Sequence, residues 1–150
     1  MTVVIRPAVL SDTARCIELL AALNSATKSA PLPESAQQKI ETAFRTLLSN
    51  ERGRIIVAEE DGVCLGMATV SYNLAMRYGG EYCQLEELIV DPAGRGKNIG
   101  GLLVKQTVAD ARRRGCAEYG LYLLKSTEHN KPFYEKCGFV LVGSEMRQRL

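Results

Sequence analysis

Leu85-Glu86-Glu87-Leu88-Ile89-Val90-Asp91-Pro92-Ala93-Gly94-Arg95-Gly96-Lys97-Asn98-Ile99-Gly100-Gly101-Leu102-Leu103 joins an apolar strand, a glycine-rich basic turn and the start of an amphipathic helix. That order builds an anion site. The turn can point several backbone N–H groups one way, and a helix N-terminus adds about half a positive charge. Arg95 and Lys97 add full charges. The turn is not G-x-x-x-x-G-K-[ST], which argues against a P-loop NTPase. It is not a dinucleotide fingerprint either, because the strand comes too late and no second βαβ half follows.

Downstream, Leu103, Val104, Thr107, Val108 and Ala111 share one helix face, with Lys105, Arg112 and Arg113 on the other. Gly115 ends the helix, and the Arg112-Arg113-Arg114 run suits the negative end of its dipole. Tyr119 to Leu124 reads as a strand, parallel to the one before the helix through a right-handed crossover. A short helix follows over about Lys131 to Cys137, with Pro132 in its first turn and Gly138 just past its end. Phe139 to Val142 and Glu145 to Arg149 read as two final strands.

Upstream, Thr2 to Arg6 reads as a strand, and a helix capped by Ser11 or Asp12 runs to about Leu23, with Ile17, Leu20 and Leu23 at helical spacing. Asn24 to Glu34 reads as a loop because Pro31 and Pro33 forbid a regular helix. A second helix covers about Ser35 to Ser49. Arg54 to Glu60 and Val63 to Tyr72 form a hairpin about Asp61-Gly62, residues 73–80 a loop, and Glu81 to Asp91 the long strand of the opening stretch. The class is α/β (α+β): a mixed, mostly antiparallel sheet with a parallel pair between the fourth and fifth strands and helices on both faces.

A chain of 150 residues reads as a single domain over 1–150 and buries roughly 68–70% of its unfolded surface. A formal net charge of +2 argues for neither nucleic acid nor membrane binding. No apolar run approaches the ~20 residues of a membrane-spanning helix, and the N-terminus lacks a signal-peptide layout. The five cysteines are scattered and form no C-x-x-C, so no metal or disulfide pattern emerges and a cytoplasmic setting is expected.

The pattern V-x-P-x-x-R-G-x-x-I-G-x-x-L is matched by Val90, Pro92, Arg95, Gly96, Ile99, Gly100 and Leu103, and some thirty residues later comes Asn130-Lys131-Pro132-Phe133-Tyr134-Glu135-Lys136-Cys137-Gly138-Phe139. Together these resemble the GNAT superfamily of acyl-CoA-dependent N-acetyltransferases, over about residues 54–142. The resemblance implies a V-shaped gap between splayed fourth and fifth strands, with acetyl-CoA as co-substrate and no metal. It implies that backbone N–H groups from Arg95, Gly96, Lys97, Asn98, Ile99 and Gly100, with Gly101 beside them, hold the pyrophosphate. Ile89 and Val90 would pair with the pantetheine arm like an extra strand, and Asn130, Phe133 and Tyr134 would line the opposite wall. The family usually has glycine where this chain has Asn98. Asparagine is the next most tolerant of the left-handed conformation, so the turn is expected to survive; the alternative is an ordinary helical Asn98 with no effect.

Acetyl transfer to an amine sets further demands. Neutralising a lysine-like amine at pH 7 costs about 4.6 kcal/mol, so a carboxylate must take its proton. Glu86, then Glu87, are the candidate bases. Strand alternation puts them on opposite faces, unless a bulge changes the parity. Tyr134 matches the family position for the acid that protonates the leaving thiolate; the structural alternative is a packed aromatic. His129, the sole histidine, is a base candidate or an exposed loop residue.

The acceptor is expected to be a small-molecule amine, in the manner of the amino-sugar-phosphate branch that the chain resembles, with Arg77, Arg147 and Arg149 as candidate basic groups for its phosphate. A protein or peptide amine, and a non-catalytic acyl-CoA sensor, are the alternatives. The oligomeric state is open; the resemblance makes a homodimer through the two strands of residues 139–150 one option.

Overall fold

The computed structural model describes residues 2–26 and 33–150. In chain order these residues build β1 (Val4–Pro7), α1 (Thr13–Ala26), α2 (Glu34–Leu47), β2 (Gly53–Glu60), β3 (Val63–Ala75), β4 (Gly80–Val90), α3 (Ile99–Arg114), β5 (Tyr119–Gly120) and α4 (Lys131–Lys136). The sheet runs β1-β2-β3-β4-β5, antiparallel from β1 to β4, with β4 and β5 parallel.

Each sheet face is covered because the strands are apolar on both sides. On one face Ile56, Ala58, Ala68, Val70 and Leu85 pack under Ile99, Leu103 and Ala111 of α3. On the other, Ile55, Val57, Met67 and Ile89 pack under Cys16 and Leu19 of α1 and Phe44 of α2. In α1 the deepest side chains are therefore Cys16 and Leu19, one residue round the helix from Ile17 and Leu20, which are half-buried.

Several expectations are corrected. Helix α1 continues through Ala26, three residues past Leu23; residues 27–32 of the expected loop lie outside the described residues, and α2 already begins at Glu34 after Pro33. Asp12 does not cap α1. Its carboxylate accepts from the Val9 N–H at 2.8 Å and from the Arg6 guanidinium at 2.8 and 3.0 Å, closing a 3₁₀ turn over Leu10–Asp12. Most of the expected loop 73–80 is ordered hairpin: β3 extends to Ala75 and a 3₁₀ turn covers Met76–Tyr78.

The largest correction concerns the strands after α3. Strand β5 pairs only through Cys83↔Tyr119 and Gln84↔Gly120, and residues 121–124 leave the ladder. The expected strands Phe139–Val142 and Glu145–Arg149 are not formed in this chain. β-branched and aromatic residues create strand propensity, as in Phe139 to Val142, but a strand exists only where another backbone supplies its hydrogen bonds.

Candidate active site

The opening stretch positions the site. Asp91 ends β4 and starts the turn, its Oδ1 accepting from the Ala93 N–H at 2.8 Å. Its Oδ2 accepts from Arg15 of α1 at 2.7 Å, and Arg15 also donates to the Cys64 carbonyl at 3.1 Å. That bond ties the turn to the far face of the sheet, and Arg15 holds the Asp91 carboxyl below the usual carboxylate range. Sequence reasoning missed both residues. Asp-Pro at a strand end was the available signal for an Asx turn; nothing pointed to Arg15.

Gly96 (φ 79°) and Asn98 (φ 56°) are both left-handed, so the chain reverses on either side of Lys97 before α3 begins at Ile99. Asn98 thus takes the conformation that glycine would take, not the helical one. Phe133 of α4 covers the next turn of chain: a Cβ on Gly100 would meet the Phe133 ring at 3.3 Å and Val90 at 3.9 Å. Gly100, Val90 and Phe133, far apart in sequence, therefore meet at the N-terminus of α3. The Lys97 ammonium is ion-paired with Glu60 at the end of β2.

Beyond Gln84, no described strand pairs with the β5 side of β4. On its other side, Ile89 and Val90 pair with Met67 and Gly66 of β3. A length of β4 edge without a paired strand on that side thus leads directly into the turn and the helix N-terminus.

A bulge lies within this edge. Val70 pairs with Leu85 and Thr69 with Glu87, leaving Glu86 as the extra residue. Both carboxylates consequently reach odd-numbered residues of β3, on the α1–α2 side of the sheet: Glu86 accepts from the Ser71 hydroxyl at 2.5 Å, and Glu87 from Thr69. The expectation of opposite faces is corrected by this one extra residue. The environments differ. Glu86 is exposed, whereas Glu87 is half-buried, and burial, with the charge of Glu86 beside it, pushes the Glu87 carboxyl up to about 7. Thr69 and Ser71 were not picked out in the sequence, although their alternation opposite the glutamates was readable there.

Tyr134 packs against the α3-side core, edge-on to Phe133 (centroids 5.1 Å) and Phe139 (6.1 Å). Burial raises its hydroxyl above the ordinary phenol value, so it stays protonated at neutral pH. Asn130 stands at the N-cap of α4 without a capping side-chain bond, and His129 is exposed. Arg147 stacks on Tyr122 at 4.5 Å and pairs with Glu145, whose carboxylate raises the guanidinium above its ordinary value. Arg77 sits at the other end of β4, stacked on Tyr78 and Tyr82, and Arg149 is exposed.

A model described as the acetyltransferase (GNAT) family matches residues 17–139. The chain belongs to the GNAT acetyltransferase family. It is 31% identical over 146 residues to glucosamine 6-phosphate N-acetyltransferase 1 of Oryza sativa subsp. japonica, covering 95% of this chain and 84% of that one. The crystal structure of glucosamine-6-phosphate N-acetyltransferase from Arabidopsis thaliana is 26% identical, with a TM-score of 0.80 and 99% of both chains covered. A predicted acetyltransferase from Clostridium acetobutylicum, solved with acetyl-CoA, shares the fold at 17% identity, a TM-score of 0.83, and coverage of 99% of this chain and 96% of that one. This GNAT chain is thus an N-acetyltransferase with the mixed sheet typical of such relatives. Among its described residues, no helix is long and apolar enough to cross a membrane.

Proposed function

We propose that this chain moves an acetyl group from acetyl-CoA to the primary amine of an amino-sugar phosphate, by direct attack within a ternary complex. The observation that carries the reading is the open β4 edge running into the α3 N-terminus, with Phe133 against Gly100 as its far wall. A pantetheine arm carries amides that can pair with such an edge, and a pyrophosphate suits the turn. The rice and Arabidopsis relatives, named for glucosamine 6-phosphate, support the acceptor class.

In this reading Glu87 is the base, and Glu86 attracts the incoming ammonium. A carboxyl near 7 is matched to proton transfer at neutral pH. Glu87 takes one proton from the ammonium, and the nitrogen lone pair forms a bond to the thioester carbon. The carbonyl pair moves to oxygen and returns as the C–S bond breaks with its electron pair on sulfur; the Tyr134 hydroxyl proton passes to that thiolate, and the second proton of the acylated nitrogen, carried by solvent, restores the hydroxyl and leaves a neutral amide. Arg147, stacked on Tyr122, is the group we assign to the acceptor phosphate. The exposed Val140, Leu141, Val142, Met146 and Leu150 support assembly with a second copy through residues 139–150.

The test is release of free CoA against an amine panel. Glucosamine 6-phosphate should be turned over far faster than glucosamine or a lysine peptide. Preference for the peptide would move the acceptor to proteins. Binding of acetyl-CoA with no turnover of any amine would make the chain a sensor.

A further inference from the structure

Lys97 lies in the turn proposed for the pyrophosphate, yet its ammonium is engaged elsewhere. It pairs with Glu60, 37 residues earlier in the chain, at the end of β2 beside the Asp61-Gly62 hairpin. The Glu60 side chain is 12% exposed and that of Lys97 39% exposed. The carboxylate therefore stands on a rigid strand end, and the lysine reaches to it on a flexible stem. The pair borders an open depression of about 630 Å³ lined by Thr2, Val3, Glu60, Lys97 and Leu102. That depression is bounded by the start of β1 and by Leu102, whereas the groove for the pantetheine arm passes Phe133 and Gly100.

We propose that Glu60 is a positioning residue that draws Lys97 away from the pyrophosphate and so limits the affinity of the turn for acetyl-CoA. The proposal rests on the reading of the turn as the pyrophosphate site. One ammonium stands between two anions, a fixed carboxylate and a diphosphate that arrives with the substrate. While Glu60 holds it, the anion is bound by backbone N–H groups, the helix N-terminus and Arg95. Glu60 also places a negative charge near the site, which opposes a second anion directly. An enzyme that must release CoA on every cycle gains from this restraint, since product departure sets many turnover rates.

The experiment measures dissociation constants for acetyl-CoA and for S-acetylpantetheine, which lacks the pyrophosphate, by competition in four proteins: the unaltered chain, Glu60→Gln, Lys97→Gln and the double variant. Glu60→Gln should tighten acetyl-CoA by about two- to fivefold at low salt, the range of a partly exposed ion pair. The gain should fade at about 0.5 M salt, and S-acetylpantetheine should not share it. In the Lys97→Gln background, Glu60→Gln should confer much less, because the freed ammonium is absent. Weaker or unchanged acetyl-CoA binding in Glu60→Gln overturns the proposal, as does an equal gain for both ligands or a gain of the same size without Lys97. If the unaltered chain binds acetyl-CoA no better than S-acetylpantetheine, the reading of the turn itself fails. That result is distinct from failure of the Glu60 role alone.

Discussion

The Asn98 side chain fills the space that a side chain at residue 101 would need: its Cγ lies 3.1 Å from where a Cβ on Gly101 would stand, and its Oδ1 lies closer still. Asparagine at the left-handed position is thus matched by glycine three residues on, inside the first turn of α3. Helix propensity alone would have Gly101→Ala stabilise by up to about 1 kcal/mol. We expect that gain to be lost in the native chain, where Asn98 must rotate away, and recovered once Asn98→Gly is also made. The coupling should be about 0.5 kcal/mol or more in urea unfolding. Asn98→Gly alone should leave acetyl-CoA affinity unchanged or tighter, and a large loss would assign a ligand contact to the Asn98 side chain.

Glu87→Gln should lower turnover by roughly 10²–10⁴-fold, the range of a positioned proton transfer. The pH profile of kcat/KM should fall below about 7 as Glu87 becomes protonated, and the variant should lose that limb. Stability should move the other way. The folded carboxyl is raised above its unfolded value, so the folded state binds more protons between the two, and stability falls as pH rises from about 4.3 toward 7. Glu87→Gln should therefore raise Tm at pH 8 and change it little at pH 4.

Tyr134→Phe keeps the ring contacts with Phe133 and Phe139 and removes only the hydroxyl. Turnover should fall by roughly 10²-fold, with the acetyl-CoA dissociation constant unchanged in calorimetry. Full activity would leave Tyr134 as a packing residue.

Arg114 crosses from the end of α3 to three other segments. It bonds Glu81 at 2.8 Å and the carbonyls of Asn50 and Glu51 at 2.6 Å each, and it covers the Tyr72 ring at 3.9 Å. Its neighbours Arg112 and Arg113 are exposed. Arg114→Ala should cost about 1.5–3 kcal/mol in urea unfolding, the range for bonds to a charged group. Arg112→Ala should stay within about 0.5 kcal/mol.

Val142 is 95% exposed and has no structural role within one chain that burial would reveal. Val142→Lys should leave Tm within a few degrees while turning a dimer into a monomer in sedimentation velocity. An unaltered chain that sediments as a monomer removes the assembly reading.

The fold was legible wherever it rests on local rules. Asp61-Gly62 turned the hairpin, Ile99 to Ala111 kept one helix period, and Gly115 ended it, because each depends on neighbours a few residues away. The turn, its Asn98 substitution and the Phe133-Tyr134 segment could be matched as short motifs. The parallel pairing of β4 with β5 followed from the length of the intervening helix.

Tertiary structure decided the rest. A one-residue bulge opposite Thr69 and Val70 brought Glu86 and Glu87 to one face, and no residue type announces where a bulge falls. Burial and the neighbouring charge then separated the Glu87 carboxyl from that of Glu86. Lys97, which belongs to the turn by sequence, was drawn to Glu60 from a distant strand end. The last twelve residues, which open on the apolar run Phe139-Val140-Leu141-Val142, found no partner strand among the described residues. By itself the sequence determined most elements from β1 to α3 and the motifs that mark the GNAT family, since those depend on short-range backbone preference. Which charges face each other was decided only in three dimensions, because electrostatics and burial act between residues that the chain keeps far apart.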